Sequence, residues 1–235
     1  MSEPLTQFER NADRLLVIQE CMANYDVGSA DAEWPNNIVS RKTVVYGSGV
    51  IARQGDLVRH RVDAEELALC KRLSAEICEI MDGSAVGMGS ESEDPFRGFF
   101  IAANIDDSVP DAITDDFIRD KFNGTLFPPV TITVEPLQES GTWWEEVLHD
   151  ASGYEGEEHE RYLLPWRSMI QWFHNTGKLI CPVFVRIGDS RALWDVPKEQ
   201  YPDGTEITGC VLPRMAVGLS TNGSLIGICG YTVHT

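Results

Sequence analysis

Residues 215–231 constrain the fold more tightly than any other part of this 235-residue chain. Two apolar runs, Met215-Ala-Val-Gly-Leu and Leu225-Ile-Gly-Ile-Cys, flank Asn222-Gly223. Asn-Gly in that setting is the strongest short-range hairpin signal, because both residues tolerate the left-handed backbone of a two-residue type I′ turn. With that turn, Val217 faces Ile228 and Leu219 faces Ile226 on one apolar surface. The opposite surface then carries Gly218 beside Gly227 and Ala216 beside Cys229. So smooth a side lets another backbone approach closely, and a packed helix is its usual occupant.

Upstream, helical and extended patterns intermix without regular β-α alternation. Phe8, Leu15, Ile18, Met22 and Tyr25 recur at helical steps behind a Thr6/Glu9 capping box, and residues 26–37 read as loop. A hairpin is expected from Val44-Val45-Tyr46 and Val50-Ile51-Ala52, returning after Gln54-Gly55 through Leu57-Val58. Asp63 and Glu66 stand at capping-box spacing before a helix buried through Leu69, Leu73, Ile77, Ile80 and Met81. Phe99 to Ala102, Val130 to Val134 and Val183 to Ile187 read as strands. Residues 109–122, 142–150 and 157–175 read as helices, the last kinked or restarted at Pro165. The expected fold is therefore α+β: a single compact domain over residues 1–235, with a mainly antiparallel sheet, several packed helices and a C-terminal β-hairpin.

Charge narrows the partners. The chain holds 37 acidic against 19 basic residues, a formal net charge of −18. A phosphate backbone or an anionic membrane surface is repelled by such a field, so neither nucleic acid nor membrane is an expected partner. No apolar run approaches the roughly 20 residues of a membrane span. The first residues, MSEPLTQFER, lack the basic and apolar regions of a secretory signal, which points to the cytoplasm. The six cysteines form no C-x-x-C pair, and four lie in apolar segments, so buried free thiols are expected. Between residues 82 and 94 runs an acidic, Gly/Ser-rich tract too small and polar to bury a core, expected to be a flexible loop or lid.

Residues 142–175 concentrate the unusual side chains: four of the six tryptophans and three of the five histidines. Residues 135–160 carry nine acidic residues and neither Lys nor Arg. Trp143 and Trp144, adjacent on a helix, would not both point inward, so at least one is expected at the surface beside Glu157, Glu158 and His159. An exposed tryptophan within a charged rim is a common hot-spot composition. That pattern points to an interaction or regulatory protein, an inhibitor, immunity-type binder or complex subunit, engaging a basic protein partner. The alternative is a hydrolase-like enzyme in which Glu145 or Glu146 orients His149 for general acid–base work. Glu146 and His149 also form the E-x-x-H half of a carboxylate-bridged metal site, so a divalent metal is the cofactor that alternative would use. Its other half is missing, because Gly156 stands three residues before His159.

Overall fold

A computed structural model describes residues 38–40, 42–53, 55–56, 60–189, 197–200 and 210–234. The helix expected at residues 8–25 and the loop around Trp34 lie outside these. The described elements run β1 (Thr43–Val45), β2 (Ile51–Arg53), α1 (Ala64–Ile80), β3 (Arg97–Ile101), α2 (Asp115–Lys121), β4 (Ile132–Pro136), α3 (Thr142–Ala151), α4 (Glu157–Asn175), β5 (Leu179–Ile187), β6 (Cys210–Ser220) and β7 (Leu225–His234). β1 and β2 form a small antiparallel ribbon, and the other five strands form one antiparallel sheet in the order β3-β7-β6-β5-β4. The fold is α+β, with the C-terminal hairpin at the centre of its main sheet.

Both faces of that sheet are covered. Strand alternation sends Phe99, Val185, Met215, Val217, Leu225 and Cys229 to one face, where Ile118 and Phe122 of the α2 region, Phe127, and Val45 and Ile51 of the ribbon cover them. Phe100, Phe184, Ala216, Ile226 and Ile228 point to the other face, against α1, α3 and α4. Each fully buried aliphatic or phenyl side chain contributes roughly 1.5–3 kcal/mol relative to exposure. α1 lies on β3 and β7 so closely that a Cβ on Gly98 would sit 2.8 Å from the Ser74 carbonyl oxygen. Of the expected smooth side, Ala216 lies on this helix-covered face and Cys229 on the opposite one, and Gly218 is closed over by Leu179 of β5, so that surface does not form as expected.

The hairpin register differs by one residue from the expected one. Leu219 pairs with Leu225 and Val217 with Gly227. The turn holds three residues, 221–223, and only Gly223 is left-handed, at φ 86°. A three-residue loop with glycine in that conformation is the alternative hairpin geometry. A slip of one residue exchanges the faces of a strand. Ile226 and Ile228 therefore join the α1–α3–α4 core and leave the Val217 side.

Glu66 explains why this turn is held. Asp63 caps α1, accepting from the Glu65 and Glu66 amides at 2.9 and 3.0 Å. Glu66, expected to complete a capping box, turns inward and is only 4% exposed. Its carboxylate accepts hydrogen bonds from Ser220 Oγ and, at 2.8 Å, from Asn222 Nδ2. Ser220 Oγ in turn accepts from the amides of Asn222 and Ser224 at 3.2 and 3.0 Å. Helix α1 and the hairpin tip are thereby joined by one buried polar network.

Other boundaries moved for local reasons. The β1–β2 turn falls at residues 46–50, where the Tyr46 amide donates to the Val50 carbonyl at 2.9 Å. The expected turn between Arg53 and Asp56 is also present, closed by the Asp56 amide donating to the Arg53 carbonyl at 3.1 Å. Of the expected return strand, Leu57 and Val58 are not among the described residues. α2 starts at Asp115 under a Thr114 cap, because Val109 and Pro110 instead pack against Gly223 at the hairpin tip. α4 continues through Pro165 without a break. β5 begins four residues before the expected Val183, with a bulge between Ile180 and Val183.

Replacing Glu66 with Ala should leave the hairpin tip's buried donors unpaired and lower stability by about 3 kcal/mol in urea unfolding. An unchanged midpoint would show that the turn holds itself.

Candidate functional site

α3 begins at Gly141, which has no side chain to cap it. The cap comes from β4: Glu135 Oε1 accepts from the Thr142 amide at 2.8 Å. The other oxygen of Glu135 accepts from Arg186 Nη2 at 3.0 Å, and Arg186 Nη1 donates to Glu146 Oε1 at 2.8 Å. Arg186, on β5, thus ties α3 to the sheet edge through two carboxylates.

Trp143 and Trp144 are both buried, at 0% and 5% exposure, so neither is a surface anchor. Trp143 stacks on Phe184 of β5 at 4.6 Å between ring centroids and lies 6.3 Å from Trp166 of α4. Its indole N–H donates to the Pro136 carbonyl at 3.2 Å. Trp144 packs edge-on against it at 5.5 Å. The expectation assumed a helix buried along one stripe. α3 is instead wedged against both β5 and α4, so its buried arc spans Trp143, Trp144, Val147 and Ala151.

What faces out is Glu145, Leu148 and His149, with Glu146 half-buried. Thr142, Glu145, Glu146 and His149 line a concavity of about 290 Å³ with Met88 and Gly89. The structure therefore brings the three residues of the acid–base alternative together beside the 82–94 tract. Glu157 and Glu158 are exposed in the first turn of α4, where the helix dipole favours carboxylates. His159 and His174 each commit a ring nitrogen to a backbone carbonyl, of Ala151 at 2.9 Å and of Leu137 at 2.8 Å. Among the described residues, no three His, Cys, Asp or Glu side chains come together to hold a metal ion.

The tract at residues 82–94, expected to be flexible, is tied down along its length. Val86 is fully buried, and Ala85 bridges Pro95. Tyr231 donates to Asp94 at 2.7 Å, and the Val233 amide donates to Ser90 Oγ at 3.0 Å. Gly87, Met88 and Gly89 are successively left-handed, at φ 61°, 58° and 68°. Such a run aims adjacent amides at one anion. That anion is Asp150 of α3, which accepts from the Met88 amide and, at 3.4 Å, from the Gly89 amide. Tyr162 adds its hydroxyl at 3.4 Å. Burial and the neighbouring Asp150 charge both push the Tyr162 phenol above its ordinary range. Asp150 was missed by sequence reasoning, although Gly-Met-Gly was a legible hint of a left-handed cradle.

Cys70, Cys78, Cys181 and Cys229 are free thiols. Burial pushes Cys70 up to about 12, outweighing a hydrogen bond from Ser224, so it is no nucleophile at neutral pH. No helix among the described residues is long and apolar enough to cross a membrane. The sequence matches no known protein family and no curated protein.

Burial raises the Glu146 carboxyl above its ordinary 4.5, against the opposing pull of Arg186. The folded state then binds this proton more tightly than the unfolded chain. Its contribution to stability is present below pH 4.5 and is lost as pH rises through the folded value. Glu146→Gln should therefore gain stability relative to wild type as pH climbs from about 4.5 in thermal melts. The opposite slope would mean that the Arg186 ion pair outweighs burial.

Proposed function

We propose that this protein is a cytoplasmic interaction module, a regulator or complex subunit that engages a basic protein through the outward face of α3, α4 and their connection. The observation carrying this reading is the composition of that face. Glu145, Glu155, Glu157, Glu158 and Glu160 are exposed there, and so are the apolar side chains Leu148, Tyr154 and Leu164, at 39, 47 and 62%. Residues 135–160 contain no Lys or Arg to neutralise them. Arg167, further along α4, is already occupied by Glu139 and Glu160 at 3.2 and 2.8 Å. Arg161, exposed beside Glu157, Glu160 and Leu164, is a cation within an otherwise acidic face. An acid-dominated field of this kind steers a basic partner and sets orientation, while exposed tyrosine and leucine supply apolar contact. Tyr154, stacked on Tyr162 at 5.3 Å, takes the anchoring role expected of the tryptophans. Trp143 and Trp144 serve that face indirectly, by fixing α3 against α4.

Affinity capture from an extract of the source organism, at low and at high salt, tests the reading. A basic protein should be retained by wild type at low salt and released at high salt. Glu157→Lys combined with Glu158→Lys should abolish retention while costing no more stability than the ~1–2 kcal/mol of the lost α4 dipole interactions. Retention that survives this charge reversal would overturn the proposal.

The concavity beside Glu145, Glu146 and His149 favours one second reading, hydrolysis by a carboxylate-oriented imidazole. It requires that His149→Ala eliminate turnover of an ester or amide substrate panel while the fold stays intact. Equal turnover by wild type and variant would exclude this use of His149.

A further inference from the structure

β4 is the outer strand of the main sheet and pairs with β5 on one side only. The ladder fixes which of its backbone groups are spent. The Leu137 amide donates to the Pro182 carbonyl at 3.1 Å, and the Gly188 amide to the Thr131 carbonyl at 2.8 Å. Both bonds fall in the register that pairs Thr133 with Arg186 and Glu135 with Phe184. In an antiparallel pair, residues that exchange hydrogen bonds alternate with residues that do not. Thr131, Thr133, Glu135 and Leu137 therefore turn their N–H and C=O groups to β5. Val130, Ile132, Val134 and Pro136 turn theirs outward.

Both ends of that outer edge are closed. The Val130 amide donates to the Phe127 carbonyl at 3.0 Å. Arg119 of α2 donates to the Val130 carbonyl and, at 3.3 Å, to the Pro128 carbonyl. Pro136 has no N–H, and its carbonyl accepts from the Gln138 amide at 3.0 Å and the Trp143 indole at 3.2 Å. Between these stoppers lie Ile132 and Val134. Among the described residues, their outward N–H and C=O groups meet no partner. Thr133, Val134 and Glu135 are half-buried, so solvent reaches this stretch of the strand. An edge closed at both ends admits one short strand in a fixed place and does not template a growing sheet.

The flanks of the opening are acidic. Ile132 and Val134 join the core on the α2 face, and α2, packed on β4, carries exposed Asp115 and Asp116 in its first turn. Neither carboxylate forms an ion pair among the described residues. On the α3 face, Glu135 and Glu146 share the guanidinium of Arg186, the residue paired with Thr133. Each face thus sets two carboxylates against one guanidinium, Arg119 or Arg186. A second copy of the chain, itself at −18, is repelled by that surplus, and a basic segment is drawn to it.

We infer that the β4 edge is a docking site for an extended basic segment of a partner protein. The segment adds to the sheet by pairing with Ile132 and Val134, its lysine or arginine side chains facing the acids of the two flanks. Strand addition of this kind takes affinity from main-chain hydrogen bonds and specificity from side chains. The inference goes beyond the reading proposed for α3 and α4 and does not rest on it.

The probe is the peptide acetyl-Lys-Thr-Val-Thr-Val-Thr-Lys-amide, and the same peptide with glutamate at both ends is its control. In the free protein, the Ile132 and Val134 amides should exchange with solvent about tenfold or more faster than those of Thr133 and Glu135. The lysine peptide should bind saturably in an NMR titration, slow exchange at Ile132 and Val134, and bind about tenfold more tightly than the glutamate peptide. Val134→Pro removes one outward N–H and leaves the β5 ladder intact, as Pro136 already does, so it should weaken the lysine peptide about tenfold. Continued protection of the Thr133 and Glu135 amides in that variant verifies its fold, and Val134→Thr, which keeps the N–H, should bind as wild type does. Glu157→Lys combined with Glu158→Lys should leave the affinity unchanged, which separates this edge from the α3–α4 face. No saturable binding, equal affinity for the two peptides, or undiminished binding by a folded Val134→Pro variant would each overturn the inference. So would protection of Ile132 and Val134 without peptide that rises with protein concentration, because a second copy would then fill the edge.

Discussion

A hairpin in the middle of a sheet with helices on one face and a ribbon on the other leaves no side of its strands for water. β6 and β7 occupy that place, and their pairing decides which side chains enter which of two cores. The turn at residues 221–223 sets this register, and buried Glu66 holds the turn through Ser220 and Asn222. A carboxylate removed from water is costly unless its oxygens find donors. Here the donors are those of the hairpin tip, so the helix and the hairpin satisfy each other.

The charge distribution follows from the same economy. Buried or half-buried ionic groups are engaged: Glu66 with the hairpin, Arg186 between Glu135 and Glu146, Asp150 in the cradle of Met88 and Gly89. Other acids face outward on α2, α3 and α4, where solvent tolerates a large net charge. The proposed interface draws on these outward acids, on a face that carries apolar side chains between the carboxylates.

Much of the fold was legible, because hydrophobic periodicity reports which residues must be hidden. α1, α3, α4 and the main strands lie where the apolar spacing placed them, within a few residues at their ends. The Trp143-Trp144 reading failed because periodicity alone cannot count the elements that surround a helix. Two neighbours 100° apart on a helix can both be interior when a sheet and another helix press on it from different sides. The 82–94 tract looked unstructured because its composition carries no core. Its order comes from partners over 60 residues away in sequence, such as Asp150 with Met88.

By itself, the sequence determined that the chain is an acidic α+β protein with a C-terminal hairpin and amphipathic helices. Those are local properties, carried by spacing, turn residues and net charge. Only the tertiary structure decided the hairpin register and the inward turn of Glu66 and of both tryptophans. Each of these depends on which distant donor, ring or backbone fills the space opposite a side chain, and that choice is made when the layers pack.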